Sequence, residues 1–135
     1  MREILFRGKR VDNGEWVEGD LRHGNYFGGD KTVYIVQNEV YTVNIPVIPE
    51  TVGQYTGLID KNGRRIFEGD IIKIPDDYEQ YGHNAGQLYA VYFAFGGFRL
   101  KPKFNKEARG YWLEDDGEVE VIGNIHDNPE LLGVE

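Results

Sequence analysis

Three histidines, His23, His83 and His126, are the side chains best suited by type to move protons or bind a metal near neutral pH. None lies within metal-binding spacing of another, so a two-histidine motif is absent. His126-Asp127 has the residue types of a ligand pair or an acid–base pair, but a strand-end histidine beside a turn aspartate is the favoured account. Asp76, Asp77, Glu79 and His83 fall together where a hard cation could find oxygen ligands, although a solvated acidic loop is preferred. Asp60-Lys61-Asn62-Gly63 has the opening of a calcium loop, yet lacks the third oxygen ligand and the terminal glutamate, and is rejected. Glu114-Asp115-Asp116, Glu118 and Glu120 offer paired carboxylates. Glycosidase chemistry needs two carboxylates held apart across a cleft, which adjacent acids on a turn do not provide. The chain contains no cysteine and no serine, which excludes disulfides, thiolate sites, thiol nucleophiles and serine hydrolysis. These residues predict no enzyme, no catalytic residues, no metal and no cofactor.

Binding is better represented. Arg7, Lys9 and Arg10 cluster near the start, and Arg99, Lys101, Lys103 and Lys106 cluster later. Tyr89, Tyr92, Phe93, Phe95 and Phe98 stand beside the second cluster, and aromatics with cations can stack the bases of a single strand. The candidate binding set is Arg7, Lys9, Arg10, Tyr89, Tyr92, Arg99, Lys101 and Lys103. Against nucleic acid stands the balance of 15 Lys and Arg to 23 Asp and Glu, a net charge of −8. A phosphate backbone repels such a chain unless its cations gather on one face. Solvated strand faces explain the cations, and the filling of a small core explains the aromatics; both readings are favoured. An acidic protein surface is the other partner the cations could meet. A phosphate loop needs a helix to follow it; the glycines of residues 24–29 lead into a strand, which disfavours nucleotide binding.

The elements that must position these residues are strands. At 135 residues the chain fits one domain, able to bury about two-thirds of its unfolded surface. The 18 glycines amount to about 13% against a usual ~7%, which predicts many turns and short strands. Val, Ile, Tyr, Phe and Thr alternate with period two and predict strands over 4–10, 16–22, 33–37, 40–45, 71–74, 87–95, 98–101, 111–113 and 119–125. Asn13-Gly14 suits a two-residue type I′ turn, Asn38-Glu39 a second hairpin and Gly96-Gly97 a third. Pro46 and Pro49 are expected to stop regular pairing. Residues 51–63 read as turn-rich, 75–86 as a long polar loop, and Asn128-Pro129 as the cap and first residue of a helical turn. The 87–95 segment is apolar on both faces, which predicts a strand buried on both sides or packed in an oligomer contact. Residues 1–7 hold too few apolar side chains for a signal-peptide core, and no window approaches the ~18 apolar residues of a membrane span. The expected setting is the cytoplasm, without membrane contact.

Asn13-Gly14 through Glu18-Gly19-Asp20-Leu21 is echoed by Asn62-Gly63 through Glu68-Gly69-Asp70-Ile71. Two strand starts reusing one turn chemistry is the favoured explanation over a duplicated binding unit.

Four blocks, in order, resemble the YopX family of small proteins carried by temperate phages and prophages, mainly of Gram-positive bacteria. They are Phe6-Arg7-Gly8-Lys9 with 14–21, residues 51–58, residues 60–63 with 66–71, and Glu120-Val121-Ile122-Gly123-Asn124-Ile125-His126-Asp127-Asn128-Pro129-Glu130-Leu131-Leu132. Residues 25–43 and 75–86 match least. The resemblance implies one mainly β unit over 1–135, with an N-terminal hairpin region over 1–50 and an SH3-like barrel over 51–135. It brings no catalytic residues and implies a capacity for self-association. The expected function is that of a non-enzymatic accessory protein in the host cytoplasm. Its expected partner is a second copy, giving a homo-oligomer, or an unidentified host or phage protein. A nucleic-acid-binding barrel is the alternative.

Overall fold

The computed structural model describes residues 3–24, 31–82, 85–102, 111–112 and 117–133. The chain divides into two compact units, Met1–Tyr55 and Thr56–Glu135. Among the described residues are eleven strands paired antiparallel, one four-residue helical turn at Tyr78–Tyr81, and 3-10 turns at Pro49–Thr51 and Pro129–Leu132. The chain is mainly β, as its alternating Val, Ile, Tyr and Phe predict.

In the first unit β1 (Phe6–Lys9), β2 (Trp16–His23), β3 (Val33–Asn38) and β4 (Thr42–Val47) pair in sequence order. The start of β5 (Gly53–Ile59) adds to the free side of β1 through Phe6–Gln54 and Arg7–Gly53. The sheet curls until Val47 bridges back to Arg10, with Ile48 N–H donating to the Lys9 carbonyl at 2.8 Å. That circuit encloses Val33, Ile35 and Val47, with Phe6, Val17, Leu21 and Val52 packed against them. Gly8 is required where β1 passes Val47, since a Cβ there would lie 3.0 Å from the valine side chain. Thr51 locks the end of the circuit: its hydroxyl accepts from Lys9 N–H at 2.9 Å and donates to the Ile48 carbonyl at 2.6 Å. Thr51→Val keeps the shape but removes both bonds. A loss of about 1–2 kcal/mol is expected, read as a lower urea midpoint.

In the second unit the later half of β5 lies beside β6 (Arg65–Phe67), and a five-stranded sheet follows. Its order is β10 (Tyr111–Trp112), β9 (Gly97–Pro102), β8 (Leu88–Ala94), β7 (Asp70–Lys73) and β11 (Glu120–Asn124). The core gathers Ile66, Ile72, Ile74, Tyr89, Val91, Leu100, Val119 and Val121, with Leu58 and Tyr81 against it.

Several expectations need correction. Residues 51–63 contain strand β5, because Gln54, Tyr55, Thr56 and Leu58 alternate through glycines that sit within the strand. Pro46 lies inside β4 opposite Tyr34; β4 is last in the strand order, where a missing N–H removes no ladder bond. Asn13 does not adopt positive φ, so the first turn is not type I′. Instead Arg10 N–H bonds the Glu15 carbonyl, the Asn13 side chain accepts Glu15 N–H at 2.9 Å, and only Gly14 is left-handed. The β3–β4 loop spans three residues, because Asn38 pairs with Thr42. Asn128 precedes the final 3-10 turn as expected, but its side chain accepts Asn124 N–H at 3.2 Å and does not cap that turn. The 75–86 segment contains the Tyr78–Tyr81 helical turn. Apart from Gly24, the expected loop over 24–30 lies outside the described residues.

Candidate interaction surface

The two sequence motifs containing Glu-Gly-Asp do different work. Glu68-Gly69 turns between β6 and β7, Gly69 has φ 92°, and the Asp70 carboxylate accepts Phe67 N–H at 2.7 Å. Glu18-Gly19-Asp20 lies in mid-strand, with Gly19 opposite Phe6. The expectation that both are strand starts therefore fails for the first; its glycine answers to crowding by β3, described below.

Several of the carboxylates that suggested chemistry bond groups of the fold. Asp60, 3% exposed, closes the β5–β6 turn. Its Oδ1 accepts Asn62 N–H at 2.9 Å and Arg64 N–H at 2.8 Å, and its Oδ2 accepts Val121 N–H from β11 at 3.0 Å. Burial would raise its pKa. The three backbone donors, Val121 foremost, together with the Arg64 charge outweigh that and hold it below the usual carboxylate value. Lys61 supports the same junction through Glu120 at 2.8 Å. The hydrogen bond it donates to that carboxylate raises the ammonium pKa. Asp127 Oδ2 accepts the Asn124 side-chain N–H at 3.2 Å, while the His126 and Asp127 N–H groups both donate to Asn124 Oδ1. This is the strand-end turn favoured above. In the 75–86 segment Asp76 lies 3.4 Å from Lys73, and the Asp77 side chain accepts Gln80 N–H. His83 and Glu114-Asp115-Asp116 lie outside the described residues. Among the described residues no three His, Cys, Asp or Glu side chains gather at metal-binding distances, and no helix is long and apolar enough to cross a membrane.

The candidate binding residues fall into separate groups. Arg7 and Lys9 alternate on one face of β1, and both rest over Trp16 at 4.6 and 5.7 Å from its ring centroid. Arg10 instead makes a two-pronged bond to Asp12, 2.8 Å on each side. That bond raises the guanidinium pKa and lowers that of the carboxyl. Tyr89 is 4% exposed within the second core, so it cannot be touched without opening that core. Tyr92 pairs with Arg99, and Ala90 with Lys101, so Tyr92, Arg99 and Lys101 share the opposite face of the hairpin. Lys103 lies outside the described residues.

The hairpin formed by β8 and β9 departs most from expectation. Tyr89 and Val91 fill the core, but Phe93 and Phe95 are 53% and 67% exposed. At Phe93 the core face therefore runs past the core into solvent, while Phe95 belongs to the turn and meets Arg99, and this strand is not buried along its length. The turn lies one residue earlier than Gly96-Gly97: Ala94 pairs with Gly97, and the central residues are Phe95 at φ 54° and Gly96 at φ 82°. Two positive φ values define a type I′ turn, whose first central position favours Asn, Asp or Gly. A residue with a Cβ loses about 1–2 kcal/mol in that conformation. Arg99 sits 5.3 Å from the Phe95 ring centroid, a contact that contributes about 0.5–1 kcal/mol at an exposed site. Phe93 and Phe98 meet edge to face at 5.2 Å. These aromatics stand out in the sequence, but alternation alone assigns them to core filling because it cannot tell where along a strand the core ends.

A mainly β chain of paired hairpins, with an exposed aromatic tip, is the kind of protein these elements define. The YopX protein family model matches residues 5–133, and the chain belongs to that family. Among curated proteins none matches it. A solved structure, protein EF1440 from Enterococcus faecalis, is 24% identical over 98% of this chain and 99% of that one, with a TM-score of 0.57. That likeness concerns the fold alone.

Proposed function

We propose that this chain is a non-enzymatic phage or prophage accessory protein, a β module of the host cytoplasm that acts by protein interaction or self-assembly. The strands of its later unit are short, with tight turns at β6–β7 and β8–β9, in keeping with an SH3-like barrel there. The observation that carries the reading is the exposure of Phe93 and Phe95 at the end of a hairpin whose inner residues form the core. Large apolar side chains grouped in solvent mark contact surfaces more often than isolated ones do. Light scattering over a range of concentrations, with capture of partners from phage-infected host cells, tests it. A specific partner or concentration-dependent association is expected; a strict monomer that retains nothing specific would contradict it.

A nucleic-acid reading draws on Tyr92, Arg99 and Lys101 sharing one strand face. It requires a mobility shift with single- or double-stranded oligonucleotides at low salt that fades steeply as salt is added. Lack of any shift removes it.

A further inference from the structure

We infer that the open edge of β4, at Thr42–Asn44, pairs with the same edge of a second copy to form a two-fold dimer. The inference rests on the self-assembly half of the reading above and gives it a surface in the first unit. Sheet edges invite further strands, and proteins usually cover or charge them. β11 is covered: Val121 N–H donates to Asp60, and Lys61 N–H donates to the Val119 carbonyl at 2.9 Å. The later half of β4 is covered too. Val11 N–H donates to the Pro46 carbonyl at 3.1 Å, and Ile48 N–H donates to the Lys9 carbonyl at 2.8 Å. Among the described residues, nothing pairs with the outer side of Thr42 or Asn44.

The register identifies the open groups. Pro46 has no N–H and its carbonyl bonds Val11, so its backbone groups point away from β3. Antiparallel backbone groups alternate in direction residue by residue, and the β3–β4 pairing runs unbroken from Val33–Val47 to Asn38–Thr42. The N–H and C=O of Asn44 and Thr42 therefore point away from β3 as well. The usual guards are missing there. No residue from 40 to 49 is charged, and the proline of β4 sits in its covered half. Val40, Tyr41 and Val43 are instead 86%, 79% and 47% exposed.

A second copy fits this edge by its own symmetry. With the two-fold axis at Val43, each Thr42 stands opposite the other copy's Asn44 and exchanges both N–H···O bonds with it. Val43 meets Val43 across the axis, and no like charges stand opposite each other. Past Ile45 the edge is already occupied by Val11, so the contact is short. It falls below the ~800 Å² per partner of a standard interface, which makes the dimer a weak one, with a Kd of about 10–100 µM.

Sedimentation velocity of the full chain from about 5 µM to 1 mM tests the association, and substitutions at the axis test the surface. Val43→Lys sets two ammonium groups face to face on a half-exposed position. It is expected to weaken association about tenfold or more while the melting temperature stays unchanged. The chain has no cysteine, so Val43→Cys would carry its only thiol. Residues opposed in an antiparallel pair without mutual hydrogen bonds have Cα atoms about 4.5 Å apart, within disulfide reach. Dissolved oxygen is expected to oxidise Val43→Cys to a covalent dimer. Val40→Cys is more exposed but roughly 20 Å from its counterpart in this register, and should stay monomeric. A strict monomer up to about 1 mM overturns the inference, as does equal linking at both cysteines. A monomer that captures a protein lost on Val43→Lys would give this edge to another protein's strand, and the second copy would be wrong. If association survives Val43→Lys, the edge is wrong and the broader reading stands; if neither association nor capture is seen, both fall.

Discussion

Asp60→Ala is expected to destabilise the protein by about 3 kcal/mol, because three buried or half-buried backbone N–H groups lose a charged acceptor together. For a chain of this size that corresponds to a melting temperature lower by roughly 10 °C. Asp60→Asn keeps one acceptor oxygen for the turn but sets an amide N–H against the N–H of Val121; about 2 kcal/mol is the expected cost. The pH dependence has a definite sign. The folded-state pKa of Asp60 lies below its ordinary value of 3.8. Its contribution to stability is therefore complete above that ordinary value and is lost as pH falls through the folded value. Thermal melts from neutral pH downward should show the wild type losing stability in the acid range, with Asp60→Asn less stable at pH 7 and less sensitive to acid. Equal melting of the two proteins at pH 7 would mean that this carboxylate does not join the turn to β11.

The second large effect is expected at Gly19. A Cβ there would press on the Val36 carbonyl oxygen and approach Ile35 Cγ2 at 3.0 Å. The obstruction is backbone in a paired strand and cannot swing aside, so Gly19→Ala is expected to cost about 2–3 kcal/mol, toward the upper part of the overpacking range. Gly14 makes the useful contrast. It has φ 72° and nothing within 4 Å of a built Cβ, so only the backbone conformation opposes a side chain. Gly14→Ala should cost about 1 kcal/mol, and Gly14→Asn less, since asparagine tolerates that conformation. Urea midpoints at constant m-value would rank the three variants. Equal losses at Gly19 and Gly14 would contradict the close approach of β2 to β3.

These two glycines illustrate what the sequence makes legible. The period-two pattern locates most of the strands within a residue or two, and Glu-Gly-Asp before an aliphatic run does mark the start of β7. The same letters at residues 18–20 mean something else, because the crowding of Gly19 comes from β3, about sixteen residues further along the chain. Strand β5 was obscured for a related reason. Its glycines look like turns until the pairing of Gly53 with Arg7 is known. Local patterns report backbone preference, whereas close approach is set by partners distant in sequence.

The candidate surface was legible in part. The cations and aromatics around residues 89–101 stand out by composition, and Tyr92, Arg99 and Lys101 do share a face. Tyr89 has the same residue type but points to the core, and Arg10 is engaged by Asp12 within its own turn. The exposure of Phe95 depends on the turn lying one residue before the Gly-Gly pair. Turn register decides which side of the core boundary a side chain occupies, and Gly-Gly permits more than one register.

We propose that this protein works through an exposed hairpin tip, while Asp60, Asp70 and Asp127 serve the fold. That role of the tip is tested most directly by capturing proteins from phage-infected host cells on the wild-type chain and on Phe95→Asn, with quantitative mass spectrometry of what each retains. The expected result is a specific protein that is enriched on the wild type and lost from a Phe95→Asn chain that melts at the same temperature or higher. Equal retention by both chains would contradict it.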